Sequence, residues 1–297
     1  MSGFCCFRRG KVDTNDEREN SSRLKATATE KSKVRGDDAP TVAKGGSTAK
    51  PGGAAQQHQQ SPVLLELFTS QGSSSCPPAD VKFARLGQGQ AKDIAGDVPV
   101  ITLAYHVDYW NHLGWQDPFA KSMWTLRQRS YGQSLEQDSI YTPELVVQGR
   151  AHCVATDSDS ATSLIQSAQR VPAPLIQVTF ESTEPSTLQV SVTVSTKKKT
   201  TNETVDVMVA LYENGLVTEC TAGENRGKLL TNEYVVRGLE TACTLQEGVP
   251  KKPVSGQVLF ELWRGFSTST TGIVIFLQNP TSKEIYGAEH FQLPDTL

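Results

Sequence analysis

Two short apolar runs, residues 63–68 and 98–107, stand out in the pattern of hydrophobic and polar positions. Uninterrupted runs of this length are typical of parallel strands that are buried on both faces. Residues 77–86 between them predict a helix. Pro77 and Pro78 are compatible with it because first-turn amides have no intrahelical acceptor. The order of strand, helix and strand predicts a βαβ unit with a right-handed crossover.

The pattern continues with an amphipathic helix, a hairpin and a last helix. These elements cover residues 118–135, 145–147, 153–154 and 157–169. The first has apolar side chains on one face and Lys and Arg on another, as a half-buried helix requires. The last has Asp157 or Ser158 as its N-cap. This order of elements predicts an α/β thioredoxin-like domain over residues 61–171.

The spacing of apolar residues changes in residues 172–297, where apolar and polar side chains begin to alternate. Residues 188–194 alternate apolar and polar side chains, and several later runs do the same. Turn-forming residues separate them, and about seven short strands without a helix are typical of an antiparallel β-sandwich. We therefore predict a second, all-β sandwich-like domain over residues 172–297, packed on the first because the linker around Pro172-Ala173-Pro174 is short.

Residues 1–60 have few aliphatic side chains and many Lys, Arg, Ser and Gly. Such a composition cannot bury enough apolar surface to offset the entropy of ordering, which predicts a disordered tail. Residues 1–11 contain no apolar core of a secretory signal, so we expect a cytoplasmic protein. Cys5 and Cys6, flanked by aromatic residues and followed by arginines, form a candidate S-acylation site that would hold the chain on the cytoplasmic face of a membrane.

The net charge of −3 gives no reason to expect nucleic acid as a partner. No apolar run approaches the length that spans a bilayer. The chain has six cysteines, and in a reducing compartment these are more often free thiols or site residues than disulfides. Cys220 and Cys243 have no spacing that indicates zinc, and no metal site is predicted.

Cys76 is the strongest candidate for chemistry. It stands at the predicted junction of a strand and a helix, where the helix macrodipole and free amides favour a thiolate, the nucleophilic form of cysteine. Ser73, three residues earlier, can donate a hydrogen bond to a thiolate but cannot form a disulfide with it. Cys153 is a candidate resolving thiol.

Other candidates surround this position in the predicted fold. A cis bond between Thr142 and Pro143 would present the Thr142 backbone opposite Cys76, as a strand-like partner for a peptide or thiol substrate. His106 and Asp108 would share a face at the end of the second strand, as an auxiliary acid-base pair or simply as an orienting hydrogen bond.

Many short motifs resemble one family, the thioredoxin-like domain-of-unknown-function family 1223. They are Leu65 to Gly72, the Ser-Ser-Cys-Pro-Pro-Ala-Asp run ending at Asp80, His106 to Trp110, Leu113-Gly114-Trp115, Arg127-Gln128, Tyr141-Thr142-Pro143 with Val146-Val147, and Gly223 to Gly227. The resemblance implies a thioredoxin-like domain with a β-rich companion and, in many members, a Cys-x-x-Cys pair. Here Ser73 stands where the first cysteine would be.

Two functions follow as expectations. The first is monothiol redox activity through Cys76, by thiol-disulfide exchange or peroxide reduction, with glutathione as a co-substrate and no other cofactor. Ser73-x-x-Cys76-Pro77 also resembles the peroxiredoxin core, for which Arg127 is the candidate activating arginine. The alternative is a non-catalytic module that binds a peptide thiol or a small thiol, or an adaptor tethered to a membrane through its N-terminus.

Overall fold

The computed structural model describes residues 60–184, 186–195, 203–246 and 253–297, which all fall in one compact unit. The predicted disordered tail lies outside the described residues except for Gln60. The helices are α1 Cys76–Gly87, α2 Lys92–Ala95, α3 Ser122–Ser134 and α4 Ser158–Ser167. The strands are β1 Val63–Thr69, β2 Val100–His106, β3 Glu144–Val147, β4 Ala151–Val154, β5 Leu175–Glu184, β6 Thr187–Ser195, β7 Val205–Glu213, β8 Leu216–Glu219, β9 Leu229–Asn232, β10 Val235–Leu245, β11 Val254–Glu261, β12 Thr271–Gln278 and β13 Ile285–Gln292.

Eight strands form one mixed sheet in the order β13-β12-β7-β10-β2-β1-β3-β4. β1 and β2 are parallel, as the two apolar runs predict, and β3 and β4 form the predicted hairpin. β10 runs antiparallel to β7 and parallel to β2, where the Ala104 amide donates to the Tyr234 carbonyl at 2.8 Å. β10 therefore joins strands from both halves of the sequence in one sheet.

Apolar cores cover both faces of this sheet. On one face, α1, α2 and α4 pack on β1 and β3, with Leu65 and Phe83 among the contacts. On the other, Trp124 of α3 packs with Phe68 of β1 and Phe276 of β12. A separate sheet, β11-β6-β5, packs on alternate side chains of β7 and β12. Each long apolar strand is thus buried by layers on both sides.

The predicted fold class, an α/β thioredoxin-like domain followed by a separate all-β sandwich, is wrong. The chain is mostly β, and its largest sheet continues from one predicted domain into the other. β12 gives the physical reason, because it is buried along its whole length. Ile273 and Ile275 face the three-stranded sheet, whereas Val274 and Phe276 face the core around α3. The domain boundary at residue 171 stays a prediction.

The elements of residues 63–169 follow the predicted order of strand, helix, strand, helix, hairpin and helix, except that the short helix α2 lies in the predicted connection between α1 and β2. Asp157 is confirmed as the N-cap of α4, where its carboxylate accepts from the backbone amides of Asp159 and Ser160. α3 begins at Ser122 rather than near 118, because Asp117 accepts from the Phe119 amide at 2.9 Å and holds the chain in a turn there. Among the described residues, no helix combines the length and apolar character needed to cross a bilayer.

Candidate functional site

Cys76 is the first residue of α1, and its side chain is 0 % exposed. Its sulfur accepts a hydrogen bond from the Ser70 amide at 3.4 Å. Burial raises the pKa of the Cys76 thiol, and the nearby carboxyl of Asp80 raises it further. Hydrogen bonds from Thr142, Thr69 and the Ser70 backbone oppose this shift without reversing it. The resting group at neutral pH is a neutral thiol.

The start of α1 explains why the helix does not activate this thiol. A helix usually offers free amides at its first turn, and these stabilise a negative charge. Here Pro77 and Pro78 have no N–H to offer, and the Cys76 amide donates to the Ser73 carbonyl at 3.3 Å. Activation of Cys76 by the helix N-terminus is therefore weaker than its position in the sequence predicts.

The residues around Cys76 form a surface of hydroxyl and indole groups. The Ser73 and Ser75 hydroxyls lie 3.0 Å apart, and Ser75 also donates to the Thr142 carbonyl at 3.4 Å. Trp110 Nε1 donates to Thr142 Oγ1 at 2.7 Å. The bond between Thr142 and Pro143 is cis, and the Thr142 side chain hydrogen-bonds to the Cys76 sulfur, which lowers the pKa of the thiol. The structure thus brings Ser73, Thr142 and Pro143 around Cys76.

The connection between β8 and β9 clamps this loop from the other half of the chain. Asn225 is 1 % exposed, and its Nδ2 donates to the Gln71 carbonyl at 2.9 Å and to the Ser73 carbonyl at 3.0 Å. Glu224 Oε2 accepts from the Ser74 amide at 2.9 Å. In the sequence, residues 223–227 are recognisable only as a motif of the resembled family, and nothing in their spacing indicates a contact with the cysteine loop.

Behind the thiol lies a buried charge cluster. His106 Nδ1 and Asp117 Oδ2 are 2.7 Å apart, and both side chains are fully buried. Burial alone would lower the pKa of His106 and raise that of Asp117, but their mutual attraction outweighs it and holds them as an ion pair. Asp80 accepts from the Thr69 hydroxyl at 2.7 Å, and burial raises its pKa to about 6. Sequence reasoning missed both aspartates; Asp80 had a signal, since it follows Cys76 by one helical turn.

The structure does not pair His106 with Asp108. The Asp108 carboxylate accepts from the Thr125 hydroxyl of α3 at 2.5 Å, whereas His106 pairs with Asp117. Among the residues that the structure describes, His106 Nε2 is buried without a hydrogen-bond partner. In the same described part of the chain, no three His, Cys, Asp or Glu side chains form a group that could hold a metal ion.

Arg127 lies across the sheet from the helix that carries Cys76. Its Nε and Nη2 donate to Glu66 Oε1 at 2.8 and 2.6 Å, and both Nη atoms donate to Gln278 Oε1. Glu66 also accepts from the Tyr131 hydroxyl. Arg127 therefore joins β1 to β12 in the core around α3 and is not placed beside the thiol.

The other described cysteines are also free thiols. Cys153 lies on β4 opposite Leu145, and burial raises its pKa to about 11. Cys220 is buried next to the β8–β9 connection, and Cys243 is half-buried on β10. Cys5 and Cys6 lie outside the described residues. Within the described part of the chain no disulfide or hydrogen bond joins Cys153 to Cys76, so the geometry gives no support to a resolving role.

The fold and site define a mostly β protein that buries a helix-first cysteine beside a cis-proline and a cluster of buried charges. The sequence matches the family described as "Protein of unknown function (DUF1223)" over residues 64–278, and the chain belongs to this family.

Two solved structures are similar over most of the chain. One is protein AGR_C_4864 from Agrobacterium tumefaciens, at 25% identity and a TM-score of 0.56, covering 80% of this chain and 98% of that one. The other is HBP35 of Porphyromonas gingivalis, at 14% identity and a TM-score of 0.57, covering 80% and 76%, a likeness of fold alone. A search of curated proteins finds no match.

Proposed function

We propose that this chain is a non-catalytic binding protein whose surface around Ser75 and Thr142 holds an extended peptide or a small thiol such as glutathione. The observation that carries the proposal is the burial of Cys76, whose thiol has a raised pKa and already accepts a hydrogen bond. A buried neutral thiol is a poor nucleophile. Beside it lie the exposed Ser75 hydroxyl and the half-buried Thr142, whose polar groups suit the recognition of a peptide backbone.

The motif has one sulfur where a Cys-x-x-Cys pair has two, and this agrees with the proposal. Ser73 stands where the family resemblance implies the first cysteine of a pair, and its hydroxyl faces Ser75 instead of the thiol. A dithiol exchange cycle needs two sulfurs within bonding reach. We infer that the site has kept a recognition surface while losing the group that would attack a disulfide.

Replacing Cys76 separates binding from chemistry. Reduced glutathione and an extended peptide are titrated by NMR into the parent protein and into Cys76→Ser, and we expect the two Kd values to agree within about twofold because serine keeps the shape of the site. Ser75→Tyr should abolish binding by covering Thr142, whereas Ser269→Tyr, at an exposed serine elsewhere, should leave it unchanged. Binding that survives Ser75→Tyr, or absence of binding in the parent, would overturn the proposal.

A second candidate function, monothiol redox activity through Cys76, is favoured by Asp80. The Asp80 carboxylate, with a pKa of about 6, is a candidate general base for the thiol proton near neutral pH, and its negative charge at the same time raises the pKa of the Cys76 thiol. The thiolate would then attack one oxygen of hydrogen peroxide, break the O–O bond and yield a sulfenic acid and, after proton uptake, water. Two electrons pass from sulfur to peroxide.

The pH dependence of alkylation at Cys76, measured by mass spectrometry of its peptide, discriminates the two functions. The binding proposal expects a midpoint above that of a free thiol and no consumption of peroxide or glutathione disulfide. A midpoint below it, with peroxide consumed only when Cys76 is present, would establish the redox function instead. The adaptor hypothesis depends on Cys5 and Cys6, outside the described residues.

A further inference from the structure

A cleft of about 410 Å³ opens between α1 and β9. Its volume lies within the range of about 300–1,000 Å³ that is typical of small-molecule sites. Val81 of α1 and Leu229 of β9 form its walls, and these side chains are 54% and 68% exposed. Leu230 also lines the cleft. Large exposed aliphatic side chains that line an open cleft favour an apolar group in its ligand.

The floor of the cleft carries a negative charge without a cation of its own. Asp80 lines it and is 9% exposed; Thr69 donates to its Oδ1, and a hydrogen bond from the Asn232 side chain also lowers its pKa. The cation that attracts it, His106, is already paired with Asp117. An ionised Asp80 therefore adds one negative charge to a buried cluster that is otherwise balanced. A buried charge is costly without a partner, so the cleft favours a ligand that brings a cation to Asp80.

The rim carries the opposite charge. Lys228 lines the cleft, and its Nζ donates to Asn225 Oδ1 at 2.9 Å rather than to Asp80. A lysine ammonium has three protons, so this group can also donate to an anionic ligand. The cleft thus offers an anion at its floor, a cation at its rim and aliphatic walls between them.

We propose that this cleft binds a ligand with an α-ammonium group next to an aliphatic side chain, that is, a hydrophobic amino acid or the N-terminus of a peptide. The ammonium pairs with Asp80, and the side chain packs on Val81 and Leu229. A free α-carboxylate, where the ligand has one, pairs with Lys228. This site lies beside the surface of the proposed peptide or thiol binding function and does not depend on it.

Three probes test the ligand chemistry at pH 7.5, where Asp80 is ionised: L-leucine, L-leucinamide and N-acetyl-L-leucine, each titrated by NMR into the full chain. We expect N-acetyl-leucine to bind at least about tenfold more weakly than leucine, because acetylation removes the ammonium. Leucine binding more tightly than leucinamide identifies a free amino acid as the ligand, and equal binding identifies a peptide N-terminus. Equal binding of leucine and N-acetyl-leucine, or no binding of leucine and leucinamide at millimolar concentration, overturns the proposal.

Variants locate the site. Asp80→Asn should weaken leucine binding by about tenfold or more while its amide oxygen still accepts from Thr69. Leu229→Ser should weaken binding several-fold, whereas Leu259→Ser, at an exposed leucine of β11, should not. Because Leu229 and Leu259 are both exposed on strands, neither change should unfold the protein. Leucine binding that is equal in all three variants would place the site elsewhere and contradict the proposal.

Discussion

At the scale of single residues, the environment of Cys76 matters more than its position in the sequence. The sequence correctly places this cysteine at the start of a helix. However, Pro77 and Pro78 have no N–H, and the Cys76 amide already donates to the Ser73 carbonyl, so the donors that would stabilise a thiolate are lost. Burial and Asp80 then raise the pKa of the thiol. These effects depend on which groups surround the sulfur in space, which a motif of four residues cannot specify.

Asp80→Asn tests the buried carboxyl through the pH dependence of stability. Because burial raises the pKa of Asp80 from 3.8 to about 6, the folded state binds its proton more tightly than the unfolded state. Its contribution to stability is therefore present at low pH and is lost as pH rises through about 6, by about 3 kcal/mol for the full shift. We measure the free energy of unfolding by urea at both pH values. Relative to the parent, Asp80→Asn should be more stable at pH 7.5 than it is at pH 4.5.

Asp97→Asn is the matched control, since the Asp97 side chain is 99% exposed. It should shift the free energy of unfolding equally little at both pH values. If Asp80→Asn also shows no difference between the two pH values, the carboxyl titrates normally and is not buried as described.

Arg127→Leu tests whether Arg127 stabilises the folded protein. Its partner Glu66 has a side chain that is 1 % exposed, so removing Arg127 leaves a buried carboxylate without its cation. We expect a loss of about 3–5 kcal/mol in urea unfolding. The double variant Arg127→Leu with Glu66→Leu should recover most of that loss, since no charge is then buried alone.

The exposed ion pair of Lys92 and Asp97 is the control for the buried pair of Arg127 and Glu66. Lys92 and Asp97 lie 3.8 Å apart with both side chains largely in solvent, and Lys92→Ala should change stability by less than about 1 kcal/mol. A double variant as unstable as Arg127→Leu alone would mean that lost packing, not the unpaired charge of Glu66, causes the effect.

At the scale of elements, the local patterns predict more than the contacts between them. The strands and helices of residues 63–169 and the Asp157 cap follow from periodicity and capping chemistry. The role of β12 could have been found as well. Its stretch from Ile273 to Leu277 is a continuous apolar run like residues 63–68, which indicates burial on both faces. The clamp by Asn225 has no such signal, because a polar residue in a turn is usually solvated.

Asn225→Ala should loosen the loop that ends at Cys76. The change leaves the buried carbonyls of Gln71 and Ser73 without the amide donor, which we expect to cost about 1–3 kcal/mol of folding free energy. Hydrogen exchange in residues 70–76 and alkylation of Cys76 should both become faster. Arg226→Ala, at the exposed neighbouring position, should change neither. Unchanged exchange in Asn225→Ala would show that the loop is held by its own contacts.

At the scale of the whole molecule, one sheet links the two segments that the sequence divides at residue 171. The core around α3 combines Phe68 and Trp124 of the first segment with Tyr212 and Phe276 of the second. Hydrophobic burial stabilises such a core only when both contributors are folded. The site shares this dependence, because Asn225 of the second segment holds the loop of Cys76 in the first. Fold and site therefore require both segments.

Unfolding should accordingly be a single cooperative event. In native-state hydrogen exchange at increasing urea, amides of β1 and β7 should reach the same free energy of opening, because neither strand keeps its buried faces when the other half of the sheet is lost. Residues 61–171 expressed alone should leave the β2 edge and half of the core exposed to water, and give the poorly dispersed NMR spectrum of a chain without fixed packing. Adding residues 172–297 should restore dispersion. A dispersed spectrum from residues 61–171 alone would instead show that the first segment is an independent domain and that β10 only docks on it.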